Sequence, residues 1–196
     1  AEVWVAEGTY ELEATITISE DIALLGGFSQ DDWAVRETDA SWAVSGDGVS
    51  EYPTEIRIPG LGAPTAVSIY QASGEPRVEG FTILGPAGTD SSCVQIYDSN
   101  AVLSSCSIQA GQADSSIGVV AYVGSPTISL CSINGGSTDL STGIFAYQSV
   151  PSISDCTVDG GTGGQTSAVK LIESPAMVER CTLYGGNSNV DAAGIY

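Results

Sequence analysis

The chain offers carboxylates, one well-placed guanidinium and five cysteines as its chemically capable groups. Asp155 and Arg180 stand 25 residues apart, with Asp159 and Glu179 beside them. Two carboxylates around a cleft, about 5–9.5 Å apart, would suit glycoside hydrolysis. With 24 acidic residues, however, some pair meets that spacing by chance. Asp31-Asp32 and Gly46-Asp47-Gly48 present hard oxygen ligands on loop-like sequence and are compatible with Ca2+, but lack EF-hand spacing. Turn chemistry explains both segments as well. The chain has no histidine, which excludes histidine-based catalysis and leaves the cysteines without zinc-type partners; no CxxC occurs either. No catalytic, cofactor-binding or metal-ligating residue is assigned from the sequence.

What positions these groups is a repeat. Phe81, Cys106, Cys131, Cys156 and Cys181 recur every 25 residues, within RVEGFTILGP, VLSSCSIQAG, TISLCSINGG, SISDCTVDGG and MVERCTLYGG. A fixed period of this kind means one structural unit stacked on copies of itself. Val78, Leu103, Ile128, Ile153 and Val178 form one aliphatic column, and Ile83, Ile108, Ile133, Val158 and Leu183 another. The second lies two residues past the Phe/Cys column, on the same face of a strand. The first lies three before it and breaks the alternation, so a bend is expected between them. Glycines at Gly85, Gly111, Gly135–Gly136, Gly160–Gly161 and Gly185–Gly186 mark the next turn. A later strand carries Val94, Val119, Ile144, Val169 and Ile195, each preceded by a small residue, and its last copy arrives one residue late.

The expected fold is therefore all-β: a right-handed parallel β-helix of about seven rungs with a modified N-terminal capping region. One continuous domain is expected, with residues 1–75 as atypical rungs around a capping or insertion loop at 30–53, and 76–196 as regular repeats. The first 75 residues lack the period, and AEVWVAEGTY, ATITI and IALLGGF read as three short strands. A loop as long as 30–53 is expected to pack on or cap the coil. The chain stops just after a strand signal at Tyr196, which predicts either a longer coil or an end covered by another subunit.

In such a coil the cysteines stack about 4.8 Å apart along the axis with their side chains parallel. That arrangement favours reduced, buried thiols over disulfides. Asp155 and Arg180 share one column, so a stacked surface ion pair accounts for them. On the later strand, the residues flanking the inward set point outward. Tyr70, Tyr97, Tyr122 and Tyr147 form one outer column, and Gln95, Val120, Phe145, Lys170 and Tyr196 its neighbour. Tyr70, Tyr97, Val120, Tyr122, Phe145 and Tyr147 are the candidate interaction surface. Aromatic stacking that merely stabilises the sheet is the alternative.

The balance of 24 acidic against 5 basic residues gives a net charge of −19. Phosphate backbones and anionic membranes are repelled, so nucleic acid is not an expected partner. The acidity serves either as a solvating coat or as a cation-binding surface. No apolar run approaches the roughly 18 residues of a membrane span. AEVWVAEGTY does not read as a secretory signal; Ala1 is either a processed terminus or an arbitrary boundary.

VWVAEGTY, TITI and IALLGGF, followed by EGFTILG and the CSI rungs, resemble the opening and repeats of the pectin-lyase-like right-handed β-helix superfamily. GGFSQDDWAVR is similar to segments of bacterial secreted and outer-surface β-helix proteins of unassigned activity. The resemblance implies an extracellular or bacterial cell-surface location. Two functions follow as expectations. One is a structural or adhesive module that presents a surface or open ends for protein association or self-assembly along the coil axis. The other is a carbohydrate-active enzyme of lyase or hydrolase type, or a glycan-binding module. In a lyase of that superfamily, clustered acids hold calcium beside an Arg or Lys base.

Overall fold

The computed structural model describes residues 1–31, 53–59 and 64–196. Among them there is no helix, and the strands form three parallel sheets of seven strands each. Each rung lays one strand on each of three walls. In a regular rung these are Val102–Ser104 on the first wall, Ser107–Gln109 on the second and Ala113–Tyr122 on the third. Registers step by 25 residues: Val78, Leu103, Ile128, Ile153 and Val178 align on the first wall, and Ile83, Ile108, Ile133, Val158 and Leu183 on the second. These columns face inward and are fully buried through most of the coil, so each rung contributes several aliphatics to one continuous core.

The bend expected before the cysteine is a left-handed corner. Gly80, Ser105, Leu130, Asp155 and Arg180 all have positive φ, from 50° to 79°. One such residue resets the alternation, which is why Leu103 and Cys106 both point inward. The non-glycine corners carry a cost of about 1–2 kcal/mol each, offset at Ser105, Leu130 and Asp155 because their amides stay in the ladder. Ser105 N donates to Ser129 O at 3.2 Å, and Leu130 N to Ser154 O at 3.1 Å. A second left-handed column, Gln71, Asp98, Val123, Gln148 and Glu173, closes the third wall. The remaining corner is built on glycine: Gly136, Gly161 and Gly186 have φ near +90° and pack against backbone of the preceding rung.

The described residues before position 76 are more regular than expected. AEVWVAEGTY is two strands rather than one, Glu2–Ala6 on the first wall and Gly8–Glu11 on the second, separated at Glu7. With Ile16–Ile18 they complete the first turn. Ala23–Phe28, Thr54–Arg57 and Thr65–Tyr70 complete the next turn on the same three walls. The period is hidden because a long segment enters the corner between Phe28 and Thr54. The proposed capping role falls on residues 32–52, which lie outside the described residues, as do Trp33, Trp42 and the Gly46-Asp47-Gly48 segment. The late arrival of the last strand is a bulge: Gly163 pairs with Ser188 but Gln165 with Asp191.

Candidate binding face on the third wall

The third wall carries the longest strands, and each bends where two successive residues turn inward. In Ala113–Tyr122 these are Gly118 and Val119, both buried, flanked by outward Ile117 and Val120. The first inward position must be small. A Cβ at Gly118 would lie 2.6 Å from Ile133 Cγ2 and 2.6 Å from the Gly143 carbonyl oxygen. A Cβ at Gly143 would likewise lie 2.5 Å from Val158 Cγ1, which accounts for the small residues Cys93, Gly118, Gly143 and Ala168 in this column; at Gly194 the nearest atom would be 4.0 Å away.

Outside the bend is a concavity of about 550 Å³. One margin is the aligned column Asp90, Ser115, Leu140, Gln165 and Asp191, followed by Ser92, Ile117, Thr142 and Ser167. Opposite stands the column Gln95, Val120, Phe145 and Lys170, with Tyr122 beyond it. Aromatic faces, amides and hydroxyls therefore line one recess. Lys170 Nζ sits 5.3 Å from the centroid of the Tyr196 ring, within cation–π range.

The tyrosine column lies in register as expected, Tyr70 beside Tyr97, then Tyr122, Tyr147 and Ile172. Tyr70 and Tyr97 are the open end, 48% and 36% exposed. Tyr122, Phe145 and Tyr147 are half-buried; the Tyr122 ring meets Phe145 edge-on at 5.9 Å and Tyr147 at 6.3 Å. Val120 points outward yet is only 4% exposed, so it is the floor of the recess rather than part of an open stripe.

The carboxylate group read from the sequence separates. Arg180 binds Asp155 at 2.6 and 2.7 Å and Glu179 at 3.3 Å, all on the solvent side of the corner. The guanidinium holds the Asp155 carboxyl below its usual range. Asp159 instead accepts the Gly161 amide at 2.8 Å, as Asn134 does that of Gly136 one rung earlier, so both are turn residues. Among the described residues no group of three or more potential ligands is placed to hold a metal ion. Asp31 accompanies Ser29, whose hydroxyl accepts its amide at 3.2 Å, while Asp32 lies outside the described residues.

Phe81, Cys106, Cys131 and Cys156 are buried on one inner column and Cys181 is half-buried in the last turn; all five cysteines are free. Their thiols also have a polar role. Cys106, Cys131 and Cys156 each donate to the carbonyl two residues back, Ser104, Ser129 and Ser154, at 3.1–3.2 Å. Burial pushes the Cys131 thiol well above its ordinary pKa, as it does that of Cys93, which opposes formation of the thiolate at either.

A second polar column escaped the sequence reading. Ser91, Ser116, Ser141 and Thr166 align and are all buried. Ser116 and Ser141 both donate to the Gly135 carbonyl, at 2.6 and 2.9 Å, and Thr166 to that of Gly185 at 2.6 Å. The Ser116, Ser141 and Thr166 hydroxyls tie the third wall to the glycine corner beneath the recess, whereas Ser91 Oγ has no hydrogen-bond partner among the described residues. Their 25-residue spacing is the sequence signal that marks them. Comparison with protein-family models, with curated proteins and with solved structures finds no match to the chain.

Proposed function

We propose that this chain is an extracellular or cell-surface adhesive module, without catalytic activity, that holds a neutral linear glycan against the outer face of its third wall. The observation that carries this reading is the recess itself. It runs across several rungs and combines Tyr122, Phe145 and Tyr196 with Gln95, Gln165 and the Ser/Thr hydroxyls. Aromatic rings cover the apolar faces of sugars, while amides and hydroxyls exchange hydrogen bonds with their edges. The net charge of −19 disfavours polyanionic chains, which is why a neutral glycan is the proposed ligand.

Charge placement argues against hydrolysis. Asp90 and Asp191, the two carboxylates lining the recess, belong to one column four rungs apart. That is about 19 Å at the usual strand spacing, whereas paired glycosidase carboxylates stand about 5–9.5 Å apart. Kinship with pectin-lyase-like β-helices belongs to this proposal, supported by the parallel three-walled coil and the motifs quoted above. A glycan-array screen of the labelled protein tests the reading: selective capture of neutral oligosaccharides supports it, and a blank array or capture of polyanions alone defeats it.

A second reading, association along the coil axis, has its own observation. The strands Met177–Glu179, Thr182–Tyr184 and Asn187–Ile195 pair on one side only. Met177, Tyr184 and Ile195 in that turn are each more than half exposed. A second copy stacked on these strands would cover them. Light scattering across a concentration series tests association between copies.

A further inference from the structure

We propose that Tyr70 and Tyr97 form an oxidative cross-linking site, at which a one-electron oxidant joins the two rings into dityrosine. Their strands are neighbours in register. The ring centroids are 5.1 Å apart and the planes only 12° from parallel. Further along the column the geometry changes: Tyr97–Tyr122 is tilted at 53° and 6.4 Å, and Tyr122–Tyr147 is edge-on at 65° and 6.3 Å. Of these pairs in the tyrosine column, only the first has its rings stacked near-parallel, and it has the shortest centroid separation. It is also the most open pair, 48% and 36% exposed, so an oxidant has access. Among the described residues neither phenol is engaged in a hydrogen bond, and each proton is free to leave to water.

The backbone keeps the pair together. Gln71 and Asp98, the residues just past the end of each strand, hold left-handed corners, and Gln71 N donates to Tyr97 O at 2.8 Å. The rings are thus held as neighbours before reaction, which makes coupling effectively unimolecular. In the reaction each phenol gives up one electron and its hydroxyl proton. The two radicals join through the carbons ortho to oxygen, and the hydrogens on those carbons shift to the oxygens. One hydrogen peroxide, turned over by a haem peroxidase, takes both electrons and both protons and leaves as two waters. The product has lost two hydrogen atoms and gained one carbon–carbon bond. That bond would staple the turn carrying the long insertion to the first regular turn.

The test is treatment of the dilute protein with a haem peroxidase and hydrogen peroxide, followed by unfolding and trypsin. Cleavage after Arg57, Arg77 and Lys170 puts Tyr70 in the fragment 58–77 and Tyr97, Tyr122 and Tyr147 in 78–170. The expected result is a monomer with dityrosine fluorescence, lighter by two hydrogens, in which those two fragments are joined. Tyr70→Phe and Tyr97→Phe should each lose the joined fragments, and Tyr147→Phe should keep them. Absence of dityrosine, coupling only between molecules or within 78–170, or an unchanged yield in Tyr70→Phe would overturn the proposal.

Discussion

Arg180 grips Asp155 from the next rung with two parallel hydrogen bonds, Nε to Oδ1 at 2.6 Å and Nη2 to Oδ2 at 2.7 Å, although both residues occupy left-handed corners. The corner column sets the two side chains side by side on the surface. The sign of the resulting pH dependence follows from Asp155, whose folded-state pKa is depressed chiefly by the hydrogen bonds from Arg180. Its contribution is present above the ordinary aspartate pKa and is lost as the pH falls through the depressed one. Both side chains face water, so the effect is small. Arg180→Ala should lower stability slightly at neutral pH and not at all in strong acid, read from denaturant midpoints at both. A gap between parent and variant that widens in acid would contradict this.

The thiol column predicts a graded series at Cys131, which is 1% exposed. Cys131→Ala removes buried volume and a donor to the Ser129 carbonyl, a loss of about 1–3 kcal/mol. Cys131→Asp places a charge in the core without a partner and should cost several kcal/mol, enough to unfold the coil. Urea midpoints rank the variants. A folded Asp variant with an unchanged midpoint would refute the inward assignment.

Val123 is β-branched and sits at φ +58° with 38% exposure. A left-handed valine is costly and asparagine is tolerated there, so Val123→Asn should stabilise by about 1 kcal/mol. The amide bond from Val123 N to Tyr147 O, 3.2 Å, is kept in that variant. A lower thermal midpoint in Val123→Asn would show that the valine side chain contributes more than its backbone costs.

Much of the fold was legible because inward aliphatics repeat with the rung. The break in alternation between Leu103 and Cys106 even located the first corner. What stayed hidden has physical causes. The corner at Glu7 is marked by a single glycine, Gly8 at φ +140°, without the glycine pairs that mark the later turns, so two strands on different walls read as one. The insertion after Phe28 masked the period of the first two turns. At the candidate site, periodicity placed Tyr122 and Phe145 on the outer face but could not show the bend that recesses them. That bend depends on two consecutive inward residues, and it turned Val120 from an expected surface residue into a covered floor. The buried hydroxyls of Ser116 and Ser141 were missed because serine reads as surface unless its carbonyl partner is known.

The central claim, that the third wall grips a glycan, is tested most directly by affinity electrophoresis. Native gels would each contain one soluble neutral polysaccharide, such as hydroxyethyl cellulose, laminarin or mannan. At least one should slow the parent protein, and the double variant Tyr122→Ser/Phe145→Ser should run as it does in a gel without polysaccharide. Circular dichroism of that variant should match the parent, since neither side chain fills the inner core. Equal retardation of parent and folded double variant, or no retardation of the parent in any gel, would contradict it.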